Sequence, residues 1–323
     1  MNENTGIDRR YVPEGDLLKS EANKFYLSSR ESLVLAADRG EILEGMCTLC
    51  DCATMTLTVK LTDGIRGVIP RSEVCWQADG SETKDIAVIT RVGKPVQFKI
   101  RTFCDGGKTA ILSRCDAQRE CCENYLSRVR EGDIIDARVT HLEPFGAFCD
   151  IGCGVISLLT VDRISVSRIS HPSDRFRVGD RIHAVIASRE ENGRIYLTHR
   201  ELLGTWEENA ANFSAGQTAC GIIRSVEEYG IFVELAPNLA GLAELYDGAR
   251  PGDNCSVYIK SIIPERMKVK LVLIDACTSP EKIPMRYYVD FDRTHRLDRW
   301  QYSPVGCKKI IETVFGAGEF ARV

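Results

Sequence analysis

The chain has 323 residues with a formal charge of -4, 44% hydrophobic and 27% charged residues, and a mean hydropathy of -0.15. These values suit two to four small soluble domains and exclude a chain-wide positive field that would draw in polyanions, so any such site must be local. The start from Met1 to Gly15 is polar and charged, with no apolar signal or spanning run, which points to a cytoplasmic protein with no membrane contact. In that compartment fourteen cysteines read as small apolar residues, not as a disulfide framework.

Residues 1–38 read as an N-terminal extension, partly disordered to about residue 16 and then helical through Leu33 to Ala37. A segment of short strands follows over 39–115. It opens with Gly40-x4-Gly45 and carries Gly67-Val68-Ile69-Pro70 and Gly93-Lys94. Cys47, Cys50 and Cys52 contain a CxxC with no second spaced pair, so packing is preferred to a metal site. Gly107-Lys108-Thr109 ends like a phosphate-binding loop, but position 102 is Thr where glycine is required, and no helix is expected to follow. Residues 116–130 form a helical connector, because Cys122, Tyr125, Leu126 and Val129 fall at i, i+3, i+4 and i+7.

The middle segment, 131–202, alternates Ile135, Ala137 and Val139 with Asp136 and Arg138, a period of two. Further strand-like runs are Phe148 to Ile151, Val155 to Leu159, Ile182 to Ile186, and Ile195 with Leu197; Asn192-Gly193 marks a hairpin. About five short strands in so small a span suggest a closed barrel, since closure removes exposed edges. A second helical connector covers 203–214, opened by the capping box Thr205-x-x-Glu208. The third segment, 215–277, repeats the middle one 84 residues later. Gly132 matches Gly216, Phe145-Gly146-Ala147-Phe148 matches Tyr229-Gly230-Ile231-Phe232, and Ser157-Leu158 matches Gly241-Leu242. The tail, 278–323, is irregular. Its Arg299-Trp300-Gln301-Tyr302 and Lys308-Lys309 suit a nucleic-acid clamp, but packing of Trp300 and Tyr302 onto the third segment is the preferred reading.

Gly132-Asp133, Phe145-Gly146-Ala147-Phe148, Gly179-Asp180 and Gly193-Arg194-Ile195-Tyr196-Leu197-Thr198, in that order, resemble the S1 RNA-binding domain. The third segment is similar through Tyr229 to Val233 and Gly241-Leu242, and the first more distantly through Gly67 to Pro70, Ser72-Glu73 and Leu112-Ser113-Arg114. The whole chain is similar to multi-repeat bacterial proteins related to ribosomal protein S1. The resemblance implies an all-β protein of tandem five-stranded OB-type barrels joined by short helical connectors, binding single-stranded RNA.

The family pattern places Phe145, Phe148 and Arg194 on the RNA-binding face, with Tyr229, Phe232 and Lys268 as their equivalents in the third segment. Rings stack on bases while cations track phosphates. The small Gly146-Ala147 pair would bend the chain and leave room for a flat base. Arg189 stands where the family often carries an acid, which favours phosphate. His171, beside Arg168 and Arg175, is weighed between phosphate contact and a free surface histidine. Thr160 and Glu244 replace a frequent family histidine, and Glu244 would repel phosphate. The first segment offers only Met55 and Leu57 in place of the aromatic pair, so it is expected to bind RNA poorly and to contact protein. The middle segment has no lysine and uses arginine throughout (Arg138, Arg163, Arg168, Arg175, Arg177, Arg181, Arg189, Arg194, Arg200); about half of these fit a solvated mixed-charge surface as well as phosphate binding.

The expected function is non-catalytic binding of single-stranded RNA (mRNA) in translation or mRNA handling, with the small ribosomal subunit as a further candidate partner and no cofactor. The competing reading is a protein-interaction scaffold associated with the ribosome or RNA-processing machinery.

Overall fold

The computed structural model describes residues 10–62, 64–77, 80–278 and 282–316. Three closed five-stranded barrels dominate it, as the all-β expectation required. The chain divides into two compact units. The first gathers residues 1–129 with 136–138 and 150–156; the second gathers 130–135, 139–149 and 157–323.

The first barrel is built from β1 (Leu43–Asp51), β2 (Thr56–Lys60), β3 (Arg66–Ile69), β4 (Pro95–Cys104) and β5 (Thr109–Ser113), closed in the order β1-β2-β3-β5-β4. Two helices precede it, α1 (Glu21–Tyr26) and α2 (Arg30–Arg39), and α3 (Asp85–Ile89) lies between β3 and β4. Helix α2 starts where the Ser29 side chain accepts the Ser32 amide at 3.1 Å and stops at Gly40 with φ 64°, a left-handed cap that glycine adopts without a Cβ clash. Leu33 and Ala36 from α2 join the barrel core around Leu57, Phe98 and Leu112.

Of the N-terminal extension, residues 1–9 lie outside the described residues. Glu14 beyond them is buried, its carboxylate accepting Arg114 Nε at 2.6 Å and Nη2 at 3.0 Å and the Gln97 amide at 3.1 Å. Burial alone would disfavour the charge, but the Arg114 guanidinium and these hydrogen bonds hold the carboxyl below its ordinary range. Helix α4 (Arg114–Cys121) leaves β5 and runs on as a π-helical turn over Cys122–Leu126. Leu126 is buried there and Tyr125 stacks on Tyr11 at 6.0 Å, the face that the helical period marked.

The second barrel uses β6 (Ile134–Glu143), β7 (Gly146–Asp150), β8 (Ile156–Thr160), β9 (Arg181–Arg189) and β10 (Ile195–Thr198), closed as β10-β8-β7-β6-β9. Helix α5 (Trp206–Ala210) leads to the third, and both halves of its Thr205–Glu208 capping box are formed. The third barrel uses β11 (Thr218–Glu227), β12 (Gly230–Ala236), β13 (Leu239–Ala243), β14 (Asn254–Ile263) and β15 (Lys268–Cys277), closed as β11-β12-β13-β15-β14. In every barrel the third strand pairs parallel to the fifth, so the sequence repeat is also a repeat of topology.

In the second unit the two barrels share one polar node. Arg175 Nη2 lies 2.5 Å from Glu234 Oε1, with both side chains at most 1% exposed. Arg224 closes on the other Glu234 oxygen and reaches Asp174 at 3.3 Å. Backbone and amide contacts flank the node: the Ser167 amide donates to Pro237 O at 3.1 Å, and Asn238 Nδ2 donates to Arg200 O and Gly204 O, each at 2.8 Å.

The described tail is packed. Phe291 stacks on His183 and Tyr287 meets it edge to face, and Phe315 joins Ile134, Val185 and Leu202 in a cluster. Trp300 and Tyr302 enter the core cluster of the third barrel, where the Tyr302 hydroxyl donates to Asn238 O at 2.7 Å. Strands β16 (Arg299–Gln301) and β17 (Glu312–Val314) pair as a hairpin. Trp300 and Tyr302 are both buried, so neither ring is open to a base.

Candidate nucleic-acid interface

In the aromatic pair of the second barrel, Phe145 lies in the turn from β6 and Phe148 within β7. Alternation along β7 sends Ala147 and Cys149 into the barrel and Phe148 outward. Phe145 is 54% exposed and meets the half-buried Phe148 edge to face, ring centres 5.9 Å apart at 90°. In the third barrel Tyr229, 70% exposed, meets Phe232 at 6.1 Å and 89°. None of the four rings is sealed in a core.

The glycine between the rings serves a different purpose from the one expected. A Cβ on Gly146 would lie 2.5 Å from Leu159 O, and one on Gly230 would lie 2.5 Å from Ala243 O. Gly146 and Ala147 are buried, so their small size admits the neighbouring strand, not a flat base.

Register extends each pair into a row across the barrel. In the third barrel Ser225, Phe232, Leu242, Lys270 and Ser261 are successive cross-strand partners. In the second, Tyr196 faces Leu158 on β8 and Ser188 on β9, while His141 stacks on Phe148 at 6.2 Å with its Nε2 2.7 Å from Glu143. Tyr196 also borders a groove of about 380 Å³ with Thr160, Asp162, Arg163 and Ser188. His141 and Tyr196 were missed from sequence. For Tyr196 the signal was available, since it stands between inward Ile195 and Leu197; for His141 it was not, because strict alternation two residues after inward Val139 would turn it into the barrel. The corresponding row in the first barrel is Leu49, Thr58, Val68, Ile111 and Thr102, with no ring. Leu57 is in the core, and Met55 packs beside it.

Arg194 is exposed at the β9–β10 turn, where its amide donates to Asn192 Oδ1 at 2.9 Å and its carbonyl accepts from Glu190 at 2.9 Å. Arg189 is exposed opposite Ile195, and Lys268 opposite Ile263. His171 is only half-exposed. Its Nδ1 accepts the Ser173 amide at 3.1 Å and caps the 3-10 turn Pro172–Asp174, and these contacts do not bring it to the rings. Among the middle-segment arginines, Arg138 pairs with Asp16, Arg175 with Glu234, and Arg200 with Glu201, so these three hold the fold. Among the described residues, no three His, Cys, Asp or Glu side chains converge as a metal site, and no helix is long and apolar enough to cross a membrane.

A protein of OB-like barrels with outward ring pairs is the class that fold and surface define. Residues 128–200 match the S1 RNA binding domain, and over much of its length the chain is similar to bS1 ribosomal proteins. It is 28% identical over 246 residues to small ribosomal subunit protein bS1 of Leuconostoc lactis, covering 73% of this chain and 54% of that one. The bS1 homolog of Bacillus cereus strain ATCC 10987 is 25% identical over 305 residues, covering 91% and 75%. The Staphylococcus aureus COL protein bS1 is 29% identical over 270 residues, covering 78% and 65%. The chain thus spans about half to three quarters of these relatives' lengths.

Proposed function

We propose that this chain binds single-stranded RNA without catalysis, in the cytoplasm, as part of translation or mRNA handling. The observation that carries this reading is the solvent-open ring pair repeated on two barrels, Phe145 with Phe148 and Tyr229 with Phe232. Each offers a flat apolar face on a barrel that also exposes cations, Arg189 and Arg194 on one and Lys268 on the other. Relatives that are small ribosomal subunit proteins make mRNA and the small subunit the candidate partners. The ring-free row of the first barrel, with Leu49 59% exposed, favours protein contact there, as a scaffold associated with the ribosome would need.

The test is a titration of the full chain with oligouridylate. Stacking contributes about 1–3 kcal/mol per base, so Phe145→Ala with Phe148→Ala lowers affinity by about tenfold or more. Unchanged affinity rules out this face.

A further inference from the structure

We propose that the second and third barrels grip different parts of one strand, the second its bases and the third its phosphates. The proposal rests on the RNA-binding reading above and deepens it, by assigning different recognition chemistry to two copies of one fold.

Register aligns the barrels residue by residue. Lys270 pairs parallel with Leu242 and antiparallel with Ser261; at the same station of the second barrel, Tyr196 pairs with Leu158 and Ser188. Two residues earlier stand Lys268 and Arg194. Both fifth-strand ladders then shift register, and the residue left in the bulge is Lys260 in the third barrel and Ala187 in the second. The third barrel therefore carries Lys260, Lys268 and Lys270 where the second carries Ala187, Arg194 and Tyr196. All three lysines are exposed, and none of them forms an ion pair among the described residues. Glu227 closes β11 and Glu228 follows it in the β11–β12 turn next to Tyr229, while Glu244 follows β13. On the second barrel the balance reverses, because His141 and Tyr196 add two rings to Phe145 and Phe148.

These surfaces differ in what they take from a strand. A cluster of unpaired ammonium groups releases counterions from phosphates whatever the base, so its contribution falls steeply with salt. Rings need a base, and their contribution is largely indifferent to salt. The third barrel accordingly contributes more to holding a base-free phosphodiester backbone than the second does.

The experiment titrates the full chain with oligouridylate and with an abasic deoxyribose-phosphate oligomer of equal length, over a range of salt. Lys260→Ala, Lys268→Ala and Lys270→Ala together lower the slope of log affinity against log salt by about 2, at about 0.7 for each phosphate no longer neutralised, and weaken abasic binding by about tenfold or more. Phe145→Ala, Phe148→Ala and Tyr196→Ala together weaken oligouridylate binding by a similar factor, with the slope and abasic binding unchanged. All three lysines face solvent, so a thermal melt of the lysine variant matches the parent. The division of labour is overturned if the lysine variant keeps its slope and its abasic binding, or if both variants change the slope equally while oligouridylate still binds. If the parent chain binds neither oligomer, the RNA-binding reading itself fails.

Discussion

His199 sits at the end of β10 with no solvent exposure, its Nδ1 3.1 Å from Ile164 O and its Nε2 3.1 Å from the Tyr287 hydroxyl. Burial pushes its pKa down to about 4, so the folded state holds it neutral. Between that value and the ordinary 6.5 the unfolded chain binds the extra proton, and stability rises with pH across this window. The second unit is expected to lose up to about 3 kcal/mol as pH falls from 7 to 4, and His199→Gln flattens that part of the profile; urea unfolding at a series of pH values measures it. His199 was not singled out from sequence, because nothing near it foretells that Tyr287, far along the chain, covers it. The outward rings are the opposite case. Phe145, Phe148, Tyr229 and Phe232 were legible because the pair repeats 84 residues later and the S1 resemblance assigned both members to one face. Glycine between them was legible as a motif but not as a cause, since the 2.5 Å approach of a neighbouring carbonyl belongs to the closed barrel.

Strands were readable wherever one face alone is buried. In β6 the alternation of Ile135, Ala137 and Val139 gave the inward face, yet Ile134 on the other side is also buried, against Phe315 of the tail. A tail without regular periodicity reads as irregular, and its packing emerges only when the barrels are closed. The arginines divide by the same logic. Arg175 read as a candidate phosphate contact and is instead a buried partner of Glu234. Replacing Arg175 by Met leaves Glu234 buried with Arg224 alone and costs about 3–5 kcal/mol, whereas adding Glu234→Leu recovers much of the loss. Chemical denaturation of the single and double variants shows whether the node behaves this way; equal stability of all three chains contradicts it.

Three copies of one topology carry three different surfaces in the same register: Thr58, Val68 and Ile111 in the first, Tyr196 with Leu158 in the second, Lys270 with Leu242 and Phe232 in the third. The fold is conserved by inward residues and close-approach glycines, which leaves the outward rows free to differ. The central claim is that nucleic acid lies on the outward rows of the second and third barrels. Ultraviolet crosslinking of the full chain to oligouridylate, with the crosslinked residues identified by mass spectrometry, addresses it directly. Adducts at Phe145, Phe148, Tyr196, Tyr229 or Phe232 are the expected result. Adducts confined to the first barrel or the tail, with those five residues unmodified, contradict it.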